Sequence, residues 1–273
     1  MRYMLLAAFA FSALAAFVKF LSHIHVLEIL FFRSAITAVL CMIFLRRQKI
    51  SFIANRQKLL ILRTFFGMIG MACFFITLQR MPIGAAVSLK YLSPVFTAIF
   101  AVIILSEKVK PIQWLFFIGA LTGVFLLKGF DTRIDLLDLF LGIMGAVAAG
   151  LVYVIIRKIG QSEHPMVIVN YYMLTAAILA GIAMIPFWQN PTLKEWGILI
   201  SIGVLGYFGQ VYMTKSFQIE AASKVAQIRY IEVIYSLIIG LVWFGEGYNL
   251  LSLLGIFLIL GSMVLNVIYK TGK

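Results

Sequence analysis

Long apolar stretches, each closed by polar residues, recur along all 273 residues of the chain. Each stretch has about 20 residues, the length that an α-helix needs to cross a hydrocarbon core of roughly 30 Å. The stretches are continuous rather than alternating, so they predict membrane helices and not the strands of a barrel. Ten spans are predicted, with approximate bounds 3–22, 26–45, 59–79, 83–105, 111–128, 137–157, 166–187, 197–217, 222–243 and 249–269.

The composition indicates one all-α integral membrane domain. Hydrophobic residues make up 63% of the chain and charged residues 12%, and no polar stretch is long enough to fold as a separate soluble domain. The net charge of +13 would suggest nucleic acid in a soluble protein, but here Lys and Arg stand mostly at the ends of the spans. We therefore expect the lipid bilayer, and no nucleic acid, as a partner.

The positions of the basic residues predict the orientation. With the N-terminus in the cytoplasm, the segment that contains Arg46, Arg47, Arg56 and Lys58 faces inward, whereas the acidic segment 131–138 faces outward. Both termini are then cytoplasmic. Because the loops are short, we expect a multi-pass protein of a bacterial inner or plasma membrane.

The two halves of the chain carry the same polar residues at a fixed offset of 139 positions, since Lys90-Tyr91 recurs as Arg229-Tyr230. This predicts a duplication with repeats 1–134 and 135–273. Each copy has five spans, an odd number, so the second copy enters from the opposite side and the repeats are inverted. Further matches at the same offset are Lys19 with Lys158, His25 with His164, Gly67 with Gly206, Gly70 with Gly209, Gln79 with Gln218 and Glu107 with Glu246.

Lys90 and Arg229 are cations inside apolar spans, where charge is costly and is usually kept for function. A twofold axis in the membrane plane brings both toward the midplane, which predicts an anion-binding pair assisted by Tyr91 and Tyr230. The alternative for Arg229 is structural, because Glu232 lies three residues on and can neutralise it. Lys90 has no acid within one turn, so its partner must come from another helix.

The remaining candidates are polar or aromatic residues placed by helix facing. Glu232 and Glu28 are candidates for proton coupling, since burial raises the pKa of a carboxylate. Each also has a competing partner, Arg229 for the first and Arg33 or a loop charge for the second. We expect Arg63 to reach the interface by snorkelling. Substrate contacts or interhelical hydrogen bonds are both open for the predicted cavity residues, which are Gln210, Gln227, Tyr153, Met71 and Phe74.

The sequence predicts no cofactor and no metal. Cys41 and Cys73 lie in apolar runs without CxxC spacing, and the three histidines form no ligand pattern. Phosphate-binding motifs of the Walker or GxGxxG type are also missing from the sequence. An intramembrane enzyme would need a paired acid, a metal cluster or a nucleophile with its base, and the sequence shows none, so we predict that the protein is not an enzyme.

The stretch from Leu92-Ser93-Pro94 to Glu107, followed by Gly119 and Gly123, resembles the EamA-type branch of the drug/metabolite transporter superfamily. Arg33 also matches an arginine common in the second helix of that family. The resemblance implies ten helices, cytoplasmic termini and a central cavity for small metabolites. In phosphate-handling relatives, Lys or Arg on helices four and nine bind the anion. Val233 stands where the first repeat has Pro94, which leaves a helix break in span nine open.

These observations predict a secondary active transporter that moves a small anionic or zwitterionic metabolite, such as an amino-acid, nucleotide-like or vitamin-like compound, by alternating access. The alternatives are a carrier or exporter of neutral or cationic metabolites or drugs, and a channel. Substrate identity, direction and coupling ion are left open, as is the choice between monomer and homodimer.

Overall fold

The computed structural model describes residues 2–52, 55–106, 111–130, 133–159, 162–219 and 231–271. Within these ranges the regular structure is helical and no strand occurs. A 3₁₀ turn, Ile185–Phe187, follows the eighth helix. The α-helices are α1 (Arg2–Phe20), α2 (Val26–Arg47), α3 (Gln57–Arg80), α4 (Ile83–Lys90), α5 (Ser93–Leu105), α6 (Pro111–Phe130), α7 (Leu136–Ile159), α8 (Pro165–Met184), α9 (Leu193–Ile219), α10 (Ile231–Phe244) and α11 (Leu250–Thr271).

The helices account for the apolar stretches of the sequence. Among the described residues, six helical segments are long and apolar enough to cross a membrane. Four shorter apolar helical segments, in α1, α6, α10 and α11, occupy the other predicted spans. The prediction of an all-helical membrane protein is confirmed.

The predicted span 83–105 is not one continuous helix, which corrects the expectation from hydropathy alone. It breaks at Tyr91 and Leu92 into α4 and α5. Pro94 explains the break, because proline has no N–H to donate to the Lys90 carbonyl. A tighter turn forms instead, in which the Val95 N–H donates to the Leu92 carbonyl at 2.9 Å.

The helix contacts recur after a shift of 139 residues. The pairs α1–α9, α1–α10 and α2–α9 in one part of the molecule correspond to α7–α3, α7–α5 and α8–α3 in the other. The pairs α2–α8 and α6–α11 join corresponding helices of the two halves. Two groups of helices result, one of α1, α9 and α10 and the other of α3, α5 and α7.

Small residues allow the tightest of these contacts. A Cβ atom built on Gly123 of α6 would lie 2.7 Å from the carbonyl oxygen of Gly255 and 2.9 Å from the backbone nitrogen of Ile259, both on α11. No side chain fits in that gap, so Gly123 is what allows α6 and α11 to approach this closely.

Equivalent histidines begin α2 and α8 in the same way. The Nδ1 atom of His25 accepts a hydrogen bond from the Leu27 N–H at 3.3 Å, and that of His164 accepts one from the Met166 N–H at 3.2 Å. Both histidines have extended backbone and satisfy a free N–H of the first helical turn. The match at offset 139 is therefore a structural match as well.

Candidate substrate site

The buried charge at the centre of the site is an ion pair between Lys90 and Glu232. The Lys90 Nζ atom lies 2.5 Å from Oε1 of Glu232, and the Tyr91 hydroxyl donates to Oε2 at 2.9 Å. The Glu232 side chain is 1% exposed, and that of Lys90 is 23% exposed. One carboxylate thus receives a cation and a phenol, and the lysine keeps part of its surface free.

The helix ends suit these charges. Lys90 is the last residue of α4, and Glu232 lies in the first turn of α10. A cation at a helix C-terminus and an acid at an N-terminus both interact favourably with the helix dipole. The Glu232 carbonyl also accepts hydrogen bonds from the hydroxyls of Ser12, at 3.2 Å, and Ser236, at 2.8 Å. The Pro94 break and two serines therefore position the pair.

Aromatic rings surround the ammonium group of Lys90. Its Nζ atom lies 4.5 Å from the ring centroid of Phe74, 5.6 Å from that of Tyr91 and 5.9 Å from that of Phe11. The electron-rich ring faces attract a cation. The group that approaches Lys90 therefore meets rings on several sides, which suits a ligand with an apolar part next to its charge.

The structure brings some predicted site residues together and leaves others unplaced. Lys90, Tyr91, Phe74 and Glu232 meet directly, and the partner that Lys90 required is Glu232. Arg229, which the sequence pairs with Lys90, lies outside the described residues, as do Tyr230 and Gln227.

Met71 lies one turn before Phe74 on α3 and contacts a different cation. Its sulfur atom accepts a hydrogen bond from Nη1 of Arg33 and one from the Tyr172 hydroxyl at 3.1 Å. Arg33 and Tyr172 occupy equivalent positions of the two halves, 139 residues apart. This contact extends the site from α3 to α2 and α8.

The expectation that Arg63 snorkels to the interface is wrong. Its side chain is buried, 6% exposed, and the guanidinium carbon lies 3.9 Å from the ring centroid of Tyr172. The guanidinium group of Arg63 is held against an aromatic ring inside the protein and does not extend into water. Nothing in the sequence around Arg63 predicts this contact, because only tertiary packing brings Tyr172 of α8 against α3.

The other sequence candidates lie on α7, α9 and α2. Tyr153 on α7 is 37% exposed and is within electrostatic range of Arg63. Gln210 on α9 has a buried Oε1 atom without a hydrogen-bond partner among the described residues. Glu28 is buried, and its Oε2 atom accepts from the Gln189 N–H at 3.2 Å. The described ion pairs do not include one between Glu28 and Arg33, so the loop contact is the one that the structure supports.

A second ion pair ties several helix ends together. Lys19 at the end of α1 lies 2.8 Å from Glu246, and the same carboxylate accepts hydrogen bonds from the Ile83 N–H, at 3.0 Å, and from the Tyr248 hydroxyl, at 2.7 Å. Glu246 therefore anchors the ends of neighbouring helices, while its repeat equivalent Glu107 lies outside the described residues. Burial, and then the hydrogen bond to Glu246, raise the pKa of Tyr248.

A cavity of about 320 Å³ opens near the same end of the bundle. It is lined by the turn between α1 and α2, by Ala72, Ile76 and Gln79 of α3, and by Gln189. None of the predicted site residues lines this cavity, so it is separate from the Lys90–Glu232 pair.

The chain is similar to known membrane proteins. The model of the EamA-like transporter family matches twice, over residues 1–128 and 136–268. The chain is 31% identical over 257 residues to the pseudopaline exporter CntI of Pseudomonas aeruginosa, covering 92% of this chain and 89% of that protein. It is 32% identical over 268 residues to human solute carrier family 35 member G1, covering 89% and 72% respectively.

A solved crystal structure shares the fold. It matches with a TM-score of 0.65 over 98% of this chain and 99% of its own length, at 14% identity. The names of the relatives indicate transporters rather than enzymes. The chain belongs to the EamA-like transporter family and is a multi-pass membrane transporter.

Proposed function

We propose that the protein is a secondary active transporter that carries a small anionic or zwitterionic metabolite by alternating access. Its ten spans form two inverted repeats, 1–134 and 135–273, that rock about a central site. The double family match and the recurrence of helix contacts at an offset of 139 support this arrangement. The observation that carries the proposal is the buried pair of Lys90 and Glu232 beside a helix break.

A zwitterion suits this pair better than a simple anion. Its carboxylate would bind Lys90 and its ammonium group would bind Glu232, so that the ligand enters between two charges that already face each other. The phenols and rings around Lys90 would hold the apolar part. Such an exchange keeps both buried charges paired throughout, which avoids the cost of an isolated charge in the membrane.

Glu232 also offers a route for proton coupling. A proton on Glu232 removes the charge that holds Lys90, and Lys90 is then free to bind an anion. Substrate and proton binding would be linked through one carboxylate. Glu28, buried near a loop, is the second candidate for coupling. The substrate and the lipid bilayer are the proposed partners, in a bacterial inner or plasma membrane with both termini in the cytoplasm, and an exporter among the relatives favours export.

The test is a thermal-stability screen of the purified protein against anionic, zwitterionic, neutral and cationic metabolites, with wild type and Lys90→Ala. A ligand stabilises by an amount set by its concentration relative to its dissociation constant. We expect a shift with a zwitterion or an anion that disappears in Lys90→Ala and persists in Lys194→Ala, a lysine on the exposed start of α9.

The same screen separates the second candidate, a carrier of cationic compounds. One observation favours it, because Glu232 and the ring of Phe74 already hold an ammonium group, that of Lys90. Stabilisation by cations alone, unchanged or increased in Lys90→Ala and lost in Glu232→Gln, would replace the anion proposal with this one.

A further inference from the structure

Two arginines inside the bundle lack the carboxylate partner that Lys90 has. Arg33 is 7% exposed and Arg63 is 6% exposed. The ion pairs formed between described residues include neither of them. The Nε atom of Arg33 and the Nε and Nη1 atoms of Arg63 are buried without a hydrogen-bond partner in the described part of the chain. Buried cations of this kind are costly and mark binding sites in membrane proteins.

The contacts of the two arginines leave Nε of Arg33 and Nε and Nη1 of Arg63 without an acceptor among the described residues. Arg63 stacks on Tyr172 at 3.9 Å, and Arg33 lies 5.6 Å from the ring centroid of Phe75. A ring supports the face of a guanidinium group but does not use the N–H donors on its edge. The sulfur of Met71 is a weak acceptor for Arg33. Both groups are therefore held in place with donors that no oxygen anion occupies.

The two guanidinium groups meet the same pair of side chains, since Arg63 stacks on the ring of Tyr172 while the Tyr172 hydroxyl and Nη1 of Arg33 both donate to the Met71 sulfur. Like charges this close repel, and a shared anion between them would remove the repulsion. Glu232 binds Lys90, and Glu28 accepts through Oε2 from the Gln189 N–H, while its Oε1 has no partner among the described residues. Among the described residues no carboxylate pairs with either arginine, so a bound anion is what would balance their charge.

Glycines on two helices make room beside the arginines. A Cβ atom on Gly206 of α9 would lie 3.5 Å from Nε of Arg33, and one on Gly67 of α3 would lie 3.3 Å from Nη1 of Arg63. The two glycines are equivalent in the repeat, 139 residues apart. Because these two positions carry no side chain, the helices leave the space that the guanidinium groups occupy.

The arginines and Lys90 lie along one face of α3. Arg63, Gly67, Met71 and Phe74 are spaced by four, four and three residues, which places them on a single side of the helix. Arg33 contacts Met71 and Lys90 contacts Phe74, so their levels differ by about 5 Å along the helix axis, whereas Arg63 lies beside Gly67, about two turns from the level of Lys90. A small metabolite can reach both.

The geometry points to a second anion subsite, in which Arg33 and Arg63 bind a carboxylate of the substrate other than the one on Lys90. This inference rests on the proposed function and narrows it to a substrate class. The substrate is an amino-acid-like metabolite with at least one additional carboxylate, whose two ends lie one to two helical turns apart. Arginine suits this role because its planar fork matches a carboxylate.

The experiment compares acids with their own amides. Binding of aspartate, glutamate and 2-aminoadipate, and of the corresponding side-chain amides, is measured by thermal shift as a function of concentration, with inorganic phosphate as a separate probe. In wild type we expect at least one acid to bind about tenfold or more tightly than its amide, the size of a charge-assisted contact. In Arg33→Gln and Arg63→Gln the ratio should fall to near one, with affinity for the amide unchanged.

The matched control is Arg80→Gln. Arg80 lies on the same helix, α3, but is half-exposed and lies 2.7 Å from Asp138, so its removal should leave the ratio as in wild type. A second readout is the unfolding midpoint without ligand. A binding arginine that lacks a partner can be replaced at little cost, whereas a structural one cannot. A lowered midpoint together with an unchanged acid-to-amide ratio would overturn the subsite.

The outcomes separate this subsite from the main proposal. If acids and amides bind equally well in wild type, and Lys90→Ala abolishes both, the subsite is wrong and the transporter proposal stands. Binding of phosphate through Arg63 without any preference for acids would overturn the carboxylate assignment. If no acid or amide binds and cationic compounds do, the anion proposal fails as a whole.

Discussion

The two cationic sites of this protein differ in how their charge is balanced. Lys90 has a carboxylate at 2.5 Å and a phenol on the same carboxylate, so its surroundings are close to neutral. Arg33 and Arg63, at levels one to two turns away along α3, contact aromatic rings and, for Arg33, a thioether. Under the proposed function, the first site would be stable when empty, while the second would gain from a bound anion. In that proposal the arginine site selects for charge and the Lys90 site responds to it.

The largest expected effect comes from removing one member of the balanced pair. Lys90→Met leaves Glu232, which is 1% exposed, without its cation. Breaking a buried pair costs about 3–5 kcal/mol, whereas Arg63→Met should cost about 1 kcal/mol or less because no carboxylate is left behind. Unfolding midpoints in one detergent measure both changes.

A double variant checks this reason. Lys90→Met combined with Glu232→Leu should recover much of the stability lost in Lys90→Met, since both charges are then removed. Equal midpoints for Lys90→Met and Arg63→Met would erase the contrast between the two sites.

A smaller effect is expected from Tyr91→Phe, which sharpens the account of the balanced site. The change removes the hydroxyl that donates to Glu232 at 2.9 Å and keeps the ring near Lys90. A hydrogen bond to a charged group contributes about 1.5–3 kcal/mol, so the unfolding midpoint should fall less than in Lys90→Met. The matched change Tyr172→Phe removes bonds to a carbonyl and a sulfur and should cost less still. The reverse order would contradict a charge-based ranking.

The smallest effects are expected from alanine at the two equivalent glycines. A Cβ on Gly67 would lie 3.0 Å from the Tyr172 ring, so the ring under Arg63 must shift, at about 1 kcal/mol. A Cβ on Gly206 has 3.3 Å to Thr37 and 3.5 Å to Arg33, and Gly206→Ala should be milder. The acid-to-amide binding ratio should fall in Gly67→Ala more than in Gly206→Ala. Equal loss in both would mean that Tyr172 does not set the position of Arg63.

Hydropathy and the repeat were enough to predict the helices, because a membrane span is specified by a long local pattern. The pairing of Lys90 with Glu232 was not predictable in this way, since the two residues are 142 positions apart and Arg229 is much nearer to Glu232 in sequence. Arg63 was misplaced because its position near a helix start favours snorkelling, and only tertiary packing puts Tyr172 beneath it. Pro94 marks a helix break in the sequence, but the structure was needed to show that the span divides at Tyr91 and Leu92.

The break at Tyr91 and Leu92 has a mechanical consequence. Helix α4 packs against both groups of helices, against α10 on one side and α7 on the other, whereas α5 packs chiefly against α7. One span is therefore divided between two bodies, with a joint two residues long at the level of Lys90. Any rotation of one body against the other must bend the chain at this joint and change the distance from Lys90 to Glu232 on α10. Under the proposed alternating access, the Lys90–Glu232 distance would therefore depend on the angle between the two bodies, and a ligand bound between the two charges would change that angle.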